Sequence, residues 1–260
     1  MKTPNVIFLA IAATIFLMVA DVCGQSGCGD ADFQCKVDAN TKLIAADANN
    51  IEAYFDRALA YKQMGSYDLA ITDLDKYISL KPSKTNYLAD GYYNRGLSYK
   101  FLGDNTKMFA DYNTAIGLFQ GNAAYYVDRG AYYISTDDWV KAEADFEKAV
   151  QINPKDTEAY YDRAKVYSHN KQYTKAITDL DKYLSFDNPS KVFLADGYEN
   201  RGLASAGLNQ LTMAVDDLSK AIDLDPTKGR RFANRAIVYR KMGKIALAVA
   251  DEKMAASLSQ

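Results

Sequence analysis

The chain has 260 residues, 48% of them hydrophobic and 25% charged, with a formal net charge of −2. This is the composition of a folded, soluble chain of one or two domains, and it argues against disorder. The balance of charge gives no electrostatic footprint for nucleic-acid phosphates or an anionic membrane surface, so neither is an expected partner.

The first two dozen residues are a separate object. Lys2 supplies a short positive region, and Val6 to Ala20 is uncharged throughout. Residues 1–24 read as a secretory signal peptide. As a helix, the uncharged run would extend about 22 Å, short of the roughly 30 Å hydrocarbon core, so a permanent membrane anchor is the weaker reading. Cleavage after Gly24 puts Val22 and Gly24 at the positions the peptidase reads, whereas cleavage after Ala20 puts the bulkier Met18 at the first of them. Cutting after Gly24 leaves Cys28 and Cys35, a close pair in an exported protein, which favours a disulfide over two free thiols. Cys23 as a lipidated cysteine is the competing reading, but Ala20-Asp21-Val22 is a poor lipobox. The protein is therefore expected in a periplasmic or secreted location.

Residues 25–50 are expected to hold a linker and a lid helix. The first part is rich in Gly, Ser and Asp. From Phe33 to Ala46 the pattern turns helical, with Val37, Leu43, Ile44 and Ala45 apolar, and Asp47 to Asn50 is a polar stop. From Ile51 onwards the spacing predicts helical hairpins. Tyr54, Ala58, Tyr61 and Met64 lie on one stripe, Gly65 interrupts, and Leu69, Ala70, Leu74, Tyr77 and Ile78 form a second stripe before Pro82. Such a hairpin leaves apolar surface for a neighbour, so the unit should recur and its open end should need a lid.

It does recur. Arg57, Arg95, Arg129, Arg163, Arg201 and Arg235 each follow Asp or Asn and precede Ala or Gly, marking six repeats over 51–260. A shift of 106 residues relates the first three to the second three: Ala70 to Tyr77 (AITDLDKY) returns as Ala176 to Tyr183, and Leu88 to Tyr92 (LADGY) as Leu194 to Tyr198. The chain is a duplicated triplet. The first and fourth repeats are longer than the rest, with the excess near 83–88 and 189–194, where it should lengthen a helix or alter stacking. Gly or Ala after each Arg allows close helix contact, and Pro82, Pro154, Pro189 and Pro226 end second helices.

In the third repeat, Tyr126, Gly130, Tyr133, Trp139, Ala142, Phe146, Ala149 and Pro154 give a pattern that resembles the tetratricopeptide repeat (TPR) family. The resemblance covers 51–260 and implies an all-α, right-handed superhelical solenoid of helix-turn-helix hairpins whose first helices line a concave face. Ser205 and Asn209 in the fifth repeat, and Met108 and Gln120 in the second, depart from the family pattern. Phe55 and Leu59 stand where some members carry the first Lys and Asn of a clamp for chaperone C-termini, so that clamp is not expected.

Each repeated Arg has an Asp sixteen residues later: Asp73, Asp111, Asp145, Asp179, Asp217 and Asp251. Twelve charges could form a phosphate or substrate site, but an acid beside each Arg neutralises it, so structural ion pairs are expected. On the implied concave face, Phe55, Leu59, Tyr93, Leu97, Val127 and Tyr161 are the candidate contacts for a peptide or helix of another protein, with Arg230, Arg240 and Lys241 meeting an acidic end. The same register places Glu199, Leu203 and Ile237 there. The plainer alternative is that adjacent repeats cover these residues.

Function is read as a non-enzymatic protein-binding scaffold, with a glycan or peptidoglycan binder using groove tyrosines as the alternative. His169 is the only His and reads as a surface residue, and no nucleophile has a base implied by spacing. No cofactor or metal is expected. Ile245, Val249 and Leu258 in the last helix are candidates for self-association.

Overall fold

The computed structural model describes residues 28–29, 31–186 and 190–258. The signal-peptide, cleavage-site and lipobox readings, most of the linker, and Pro189 lie outside the described residues. Thirteen helices and no strand are present among the described residues. The protein is an all-α solenoid of helical hairpins.

The chain divides after Gln120 into two compact units, one hairpin earlier than the boundary of the sequence duplication. The first unit holds α1 (Phe33–Ala46), α2 (Ile51–Gln63), α3 (Tyr67–Ser79), α4 (Thr85–Leu102) and α5 (Asn105–Leu118). The second holds α6 (Ala123–Ser135), α7 (Trp139–Ile152), α8 (Thr157–His169), α9 (Tyr173–Ser185), α10 (Lys191–Gly207), α11 (Leu211–Leu224), α12 (Gly229–Lys241) and α13 (Ile245–Ser257).

Side chains with short polar ends start several helices. Asp32, Asn50, Asp104, Asp138 and Asp156 each accept a backbone N–H from the first turn of α1, α2, α5, α7 and α8, satisfying donors the helix cannot. Each turn inside a hairpin passes through a left-handed residue. Gly65, Gly103 and Gly243 take this position with φ of 77°, 78° and 72°, and Asp137, Lys171 and Asn209 take it with φ of 59°, 58° and 61°. Asn209, a departure from the family pattern in sequence, therefore adopts the same backbone as the glycines, which Asn tolerates better than most residues.

Hairpins close where a small residue faces a large one. A Cβ at Gly96 would lie 2.8 Å from the Tyr112 ring, and one at Gly130 would lie 2.9 Å from the Phe146 ring. Ala58 fills the same role against Ala70 and Leu74, flanked by Phe55 and Tyr61.

The extra residues of the first and fourth repeats lengthen helices. α4 has 18 residues and α10 has 17, against 13 or 14 for the others. The added turn has a specific use. The Tyr77 hydroxyl donates to the carbonyl of Tyr87 at 2.9 Å, and the Tyr183 hydroxyl donates to that of Phe193 at 3.0 Å. Gly91 and Gly197 let those two rings lie flush against α4 and α10.

α1, the helix expected as a lid, packs on α2. Arg57 Nη1 donates to Thr41 Oγ1 at 3.1 Å, tying the two together. Cys28 and Cys35 are joined Sγ to Sγ, with their Cα atoms 5.7 Å apart, which fastens the residues before α1 to its first turn.

Candidate functional site

The six repeated arginines each hold their aspartate through two parallel bonds. Nε and Nη2 donate to the two carboxylate oxygens of Asp73, Asp111, Asp145, Asp179, Asp217 and Asp251, at 2.7–2.9 Å. This fork geometry matches a carboxylate better than any other cationic side chain could. All six aspartates are buried, so the pairs are structural latches between the two helices of a hairpin. Arg95 and Arg201 also reach back to Asp75 and Asp181 of the preceding hairpin, at 2.6 and 2.7 Å. Hydrogen bonds to Asp111 and Asp217 hold these two guanidinium groups above their ordinary pKa.

The candidate groove residues are partly covered by their own hairpins. In the first unit Phe55, Leu59, Tyr93 and Leu97 are all half-buried. Phe55 packs on Tyr77 with ring centroids 4.8 Å apart, and Tyr93 packs on Tyr112 at 5.7 Å. In the second unit Tyr161 is half-buried against Tyr183 at 5.1 Å, and its hydroxyl accepts from Asn200 at 2.8 Å. Burial, followed by the nearby Asp196 charge, pushes the Tyr161 hydroxyl up to about 12. Leu203 and Ile237, on the corresponding faces of α10 and α12, are 40% and 57% exposed.

Four expectations need correction. Val127 is buried and offers no contact surface. Glu199 is buried rather than exposed, accepting from Arg230, Arg231 and Asn234. Arg230, although exposed, is paired with Asp196 and Glu199 at 3.0 and 3.1 Å. Arg240 holds Glu252 through two bonds of 2.7 and 2.8 Å. The last two cations are thus already matched by acids of the same unit and make poor receptors for an acidic partner.

The residue that sequence reasoning missed is Arg231, whose side chain is fully buried. It donates to Asp196 and Glu199 at 2.7 and 3.1 Å, and to the Asp225 backbone carbonyl at 2.7 Å. Its Nη1 also lies 2.6 Å from a carboxylate oxygen of Asp225. Bonds from Thr227 and then Arg231 hold the Asp225 carboxyl down at about 2. A signal did exist in the sequence, because Glu199 and Arg231 replace Tyr93 and Tyr125 of the first triplet.

A cavity of about 520 Å³ opens in the first unit between α2 and the start of α4. Phe55, Tyr77 and Tyr87 supply aromatic surface, and Glu52, Asp56 and Asp90 supply carboxylates. Burial and then the charges of Asp90 and Glu52 push the Tyr77 hydroxyl up to about 12. No group of three or more His, Cys, Asp or Glu side chains among the described residues is arranged to hold a metal ion. His169 is exposed and stacks on the Trp139 ring at 3.7 Å.

Tetratricopeptide repeat profiles match residues 51–84, 89–122, 129–191 and 195–228. The chain belongs to the tetratricopeptide repeat family. Over 92 residues this TPR chain is 36% identical to mouse neutrophil cytosol factor 2, a match that covers 34% of the chain and only 16% of that protein. Among solved structures it is similar to YrrB, described as a TPR protein with an unusual peptide-binding site, at 22% identity and a TM-score of 0.62. That match covers 73% of this chain and 94% of YrrB. A TPR protein of Cytophaga hutchinsonii matches at 21% identity and a TM-score of 0.62, covering 87% of this chain and 89% of the other. Pseudomonas aeruginosa pilF matches at 15% identity and a TM-score of 0.62, covering 80% and 90%. At these identities the solved structures establish the TPR fold alone. The fold is that of a protein–protein interaction scaffold.

Proposed function

We propose that the protein is an exported, non-enzymatic scaffold that binds a peptide or helical segment of another protein through the exposed faces of its first helices. The observation that carries this reading is apolar surface on those helices that packing leaves incompletely covered: Leu59, Tyr93 and Leu97 in the first unit, and Leu203 and Ile237 in the second. Unsatisfied apolar surface in a repeat array gains free energy when a partner segment covers it. Export is supported by the uncharged run from Val6 to Ala20 and by the joined Cys28 and Cys35.

Replacing Tyr93 and Leu97 together with Asp tests the reading. Cross-linking in intact cells, followed by mass spectrometry, should recover partners with the native chain and lose them with the variant. An unchanged set of partners refutes the proposal. A second contact, between copies of the chain, is supported by exposed Ile245, Leu247, Val249, Met254 and Leu258 on and just after α13. Light scattering at increasing concentration should report a rising mass, and a constant monomer mass refutes that part.

A further inference from the structure

We propose that the Cys28–Cys35 disulfide is a redox-sensitive catch on the binding surface: once it is reduced, the first turn of α1 frays and uncovers the part of α2 that carries Leu59. The functional half of this inference rests on the groove reading above, which counts Leu59 among the contacts.

The α1–α2 pair is held unevenly along its length. The short connection 47–50 makes the two helices antiparallel and closes one end. Midway, Thr41 accepts from Arg57 at 3.1 Å, and Val37 and Asn40 are the buried residues of α1. Towards the other end the helices leave a cavity of about 350 Å³ between them, with Phe33 and Lys36 of α1 on one side and Leu59, Ala60 and Gln63 of α2 on the other. The residues that anchor α1 therefore lie beyond its first turn.

What holds that first turn is local. Asp32 accepts the Cys35 N–H at 2.9 Å as the helix cap, and its own N–H donates to the Gly29 carbonyl at 3.0 Å. The disulfide closes the loop that contains these groups. A helix of 14 residues is marginal in water without support of this kind, and closing the loop removes disordered conformations that would compete with the capped turn. Both cysteines are partly exposed, with Gly29, Ala31, Asp32 and Gln34 exposed around them. A reductant can reach the bond, and exposed disulfides are the labile ones.

The chemistry is exchange with a dithiol reductant. Its thiolate attacks one Sγ, the S–S bond breaks as a mixed disulfide forms, and the other Sγ leaves as a thiolate. The second thiol of the reductant, deprotonated, then closes the reductant's own disulfide and displaces the remaining Sγ. The two protons lost by the dithiol end on Cys28 and Cys35, so two electrons and two protons have passed to the chain.

The test is hydrogen exchange read by mass spectrometry on the full chain, with and without dithiothreitol, and again with Cys28→Ser/Cys35→Ser, whose helix content circular dichroism checks. Amides 35–39 should exchange about tenfold faster in both reduced chain and variant, while α2 and α3 keep their protection. Unchanged exchange at 35–39 in either arm overturns the catch. Faster exchange spreading through α2 and α3 also overturns it, because the bond would then brace the fold at large. Cross-linking in intact cells reads the functional half: the Cys28→Ser/Cys35→Ser chain should recover its partners at several times the native yield. A yield equal to the native one, or below it, overturns the control of binding. Partners recovered undiminished by the Tyr93→Asp/Leu97→Asp variant would instead refute the groove reading and leave the exchange result standing.

Discussion

The flush packing of Tyr77 on α4 sets the sign of a substitution that helix propensity alone would get wrong. Gly91 lies in the interior of α4, where replacing Gly by Ala ordinarily gains about 1 kcal/mol. A Cβ there would sit 2.6 Å from Tyr77 Cε1, 2.7 Å from Cδ1 and 3.3 Å from Ile78 Cγ1. The ring would have to retreat by about 0.8 Å to reach ordinary contact. It has little freedom to do so, because Tyr77 is buried and its hydroxyl is fixed to the Tyr87 carbonyl. Overpacking of this kind costs roughly 1–3 kcal/mol, and so severe an approach belongs in the upper half of that range. Gly91→Ala should therefore destabilise by a net amount of about 1–2 kcal/mol, lowering Tm by roughly 3–6 °C in a chain of this size. Gly197→Ala should behave alike, since its Cβ would meet the Tyr183 ring at 2.7 Å. Gly117, near the end of α5, is the control: a Cβ there would meet no atom within 4 Å, and Gly117→Ala should stabilise by about 0.5 kcal/mol. Thermal melts followed by far-ultraviolet circular dichroism read all three. A Gly91→Ala protein as stable as the native chain, or more so, refutes the reasoning.

Other outcomes follow from the same packing. Asp145→Ala leaves the Arg129 guanidinium, itself only 18% exposed, without its carboxylate, and should cost about 2–3 kcal/mol in a urea melt, somewhat less than a fully dry pair. Glu252→Ala, which breaks the exposed pair with Arg240, should leave the same melt unchanged. Lys171→Gly removes a lysine from a left-handed turn position and should stabilise by about 1 kcal/mol in that melt. The Asp225 carboxyl is held down at about 2 in the folded protein, so its contribution is full above the ordinary carboxylate range and fades as pH falls through about 4 towards 2. Asp225→Asn should accordingly be less stable than the native chain at pH 7, and the difference should close on acidification. A difference that stays constant from pH 7 to pH 2 contradicts that assignment.

Helix periodicity and the repeated Arg and Asp made the hairpins and their latches legible in sequence, because both are local and recur in one register. The use of the extra residues was only half legible. Their placement in 83–88 was visible, but the bond from Tyr77 to the Tyr87 carbonyl depends on a turn whose path the spacing does not fix. The groove was the least legible part. Register says which face a residue lies on, not what reaches over it, so Val127 and Glu199 looked exposed and are buried. Arg231 escaped notice for the opposite reason: a lone Arg beside Arg230 reads as solvated charge until Asp196, Glu199 and Asp225 are seen to converge on it from α10 and the α11–α12 connection.

Since every buried Arg–Asp latch closes inside one hairpin, and the bonds of Arg95 and Arg201 to the preceding hairpin engage the exposed Asp75 and Asp181, a whole hairpin could be copied or excised during evolution without orphaning a buried latch charge in those that remain. Arg231 is an exception to that modularity, because its acids come from α10 and from the connection before α12. The last two hairpins are therefore bound to be inherited together, and a shortened descendant of this chain would be expected to lose both or neither.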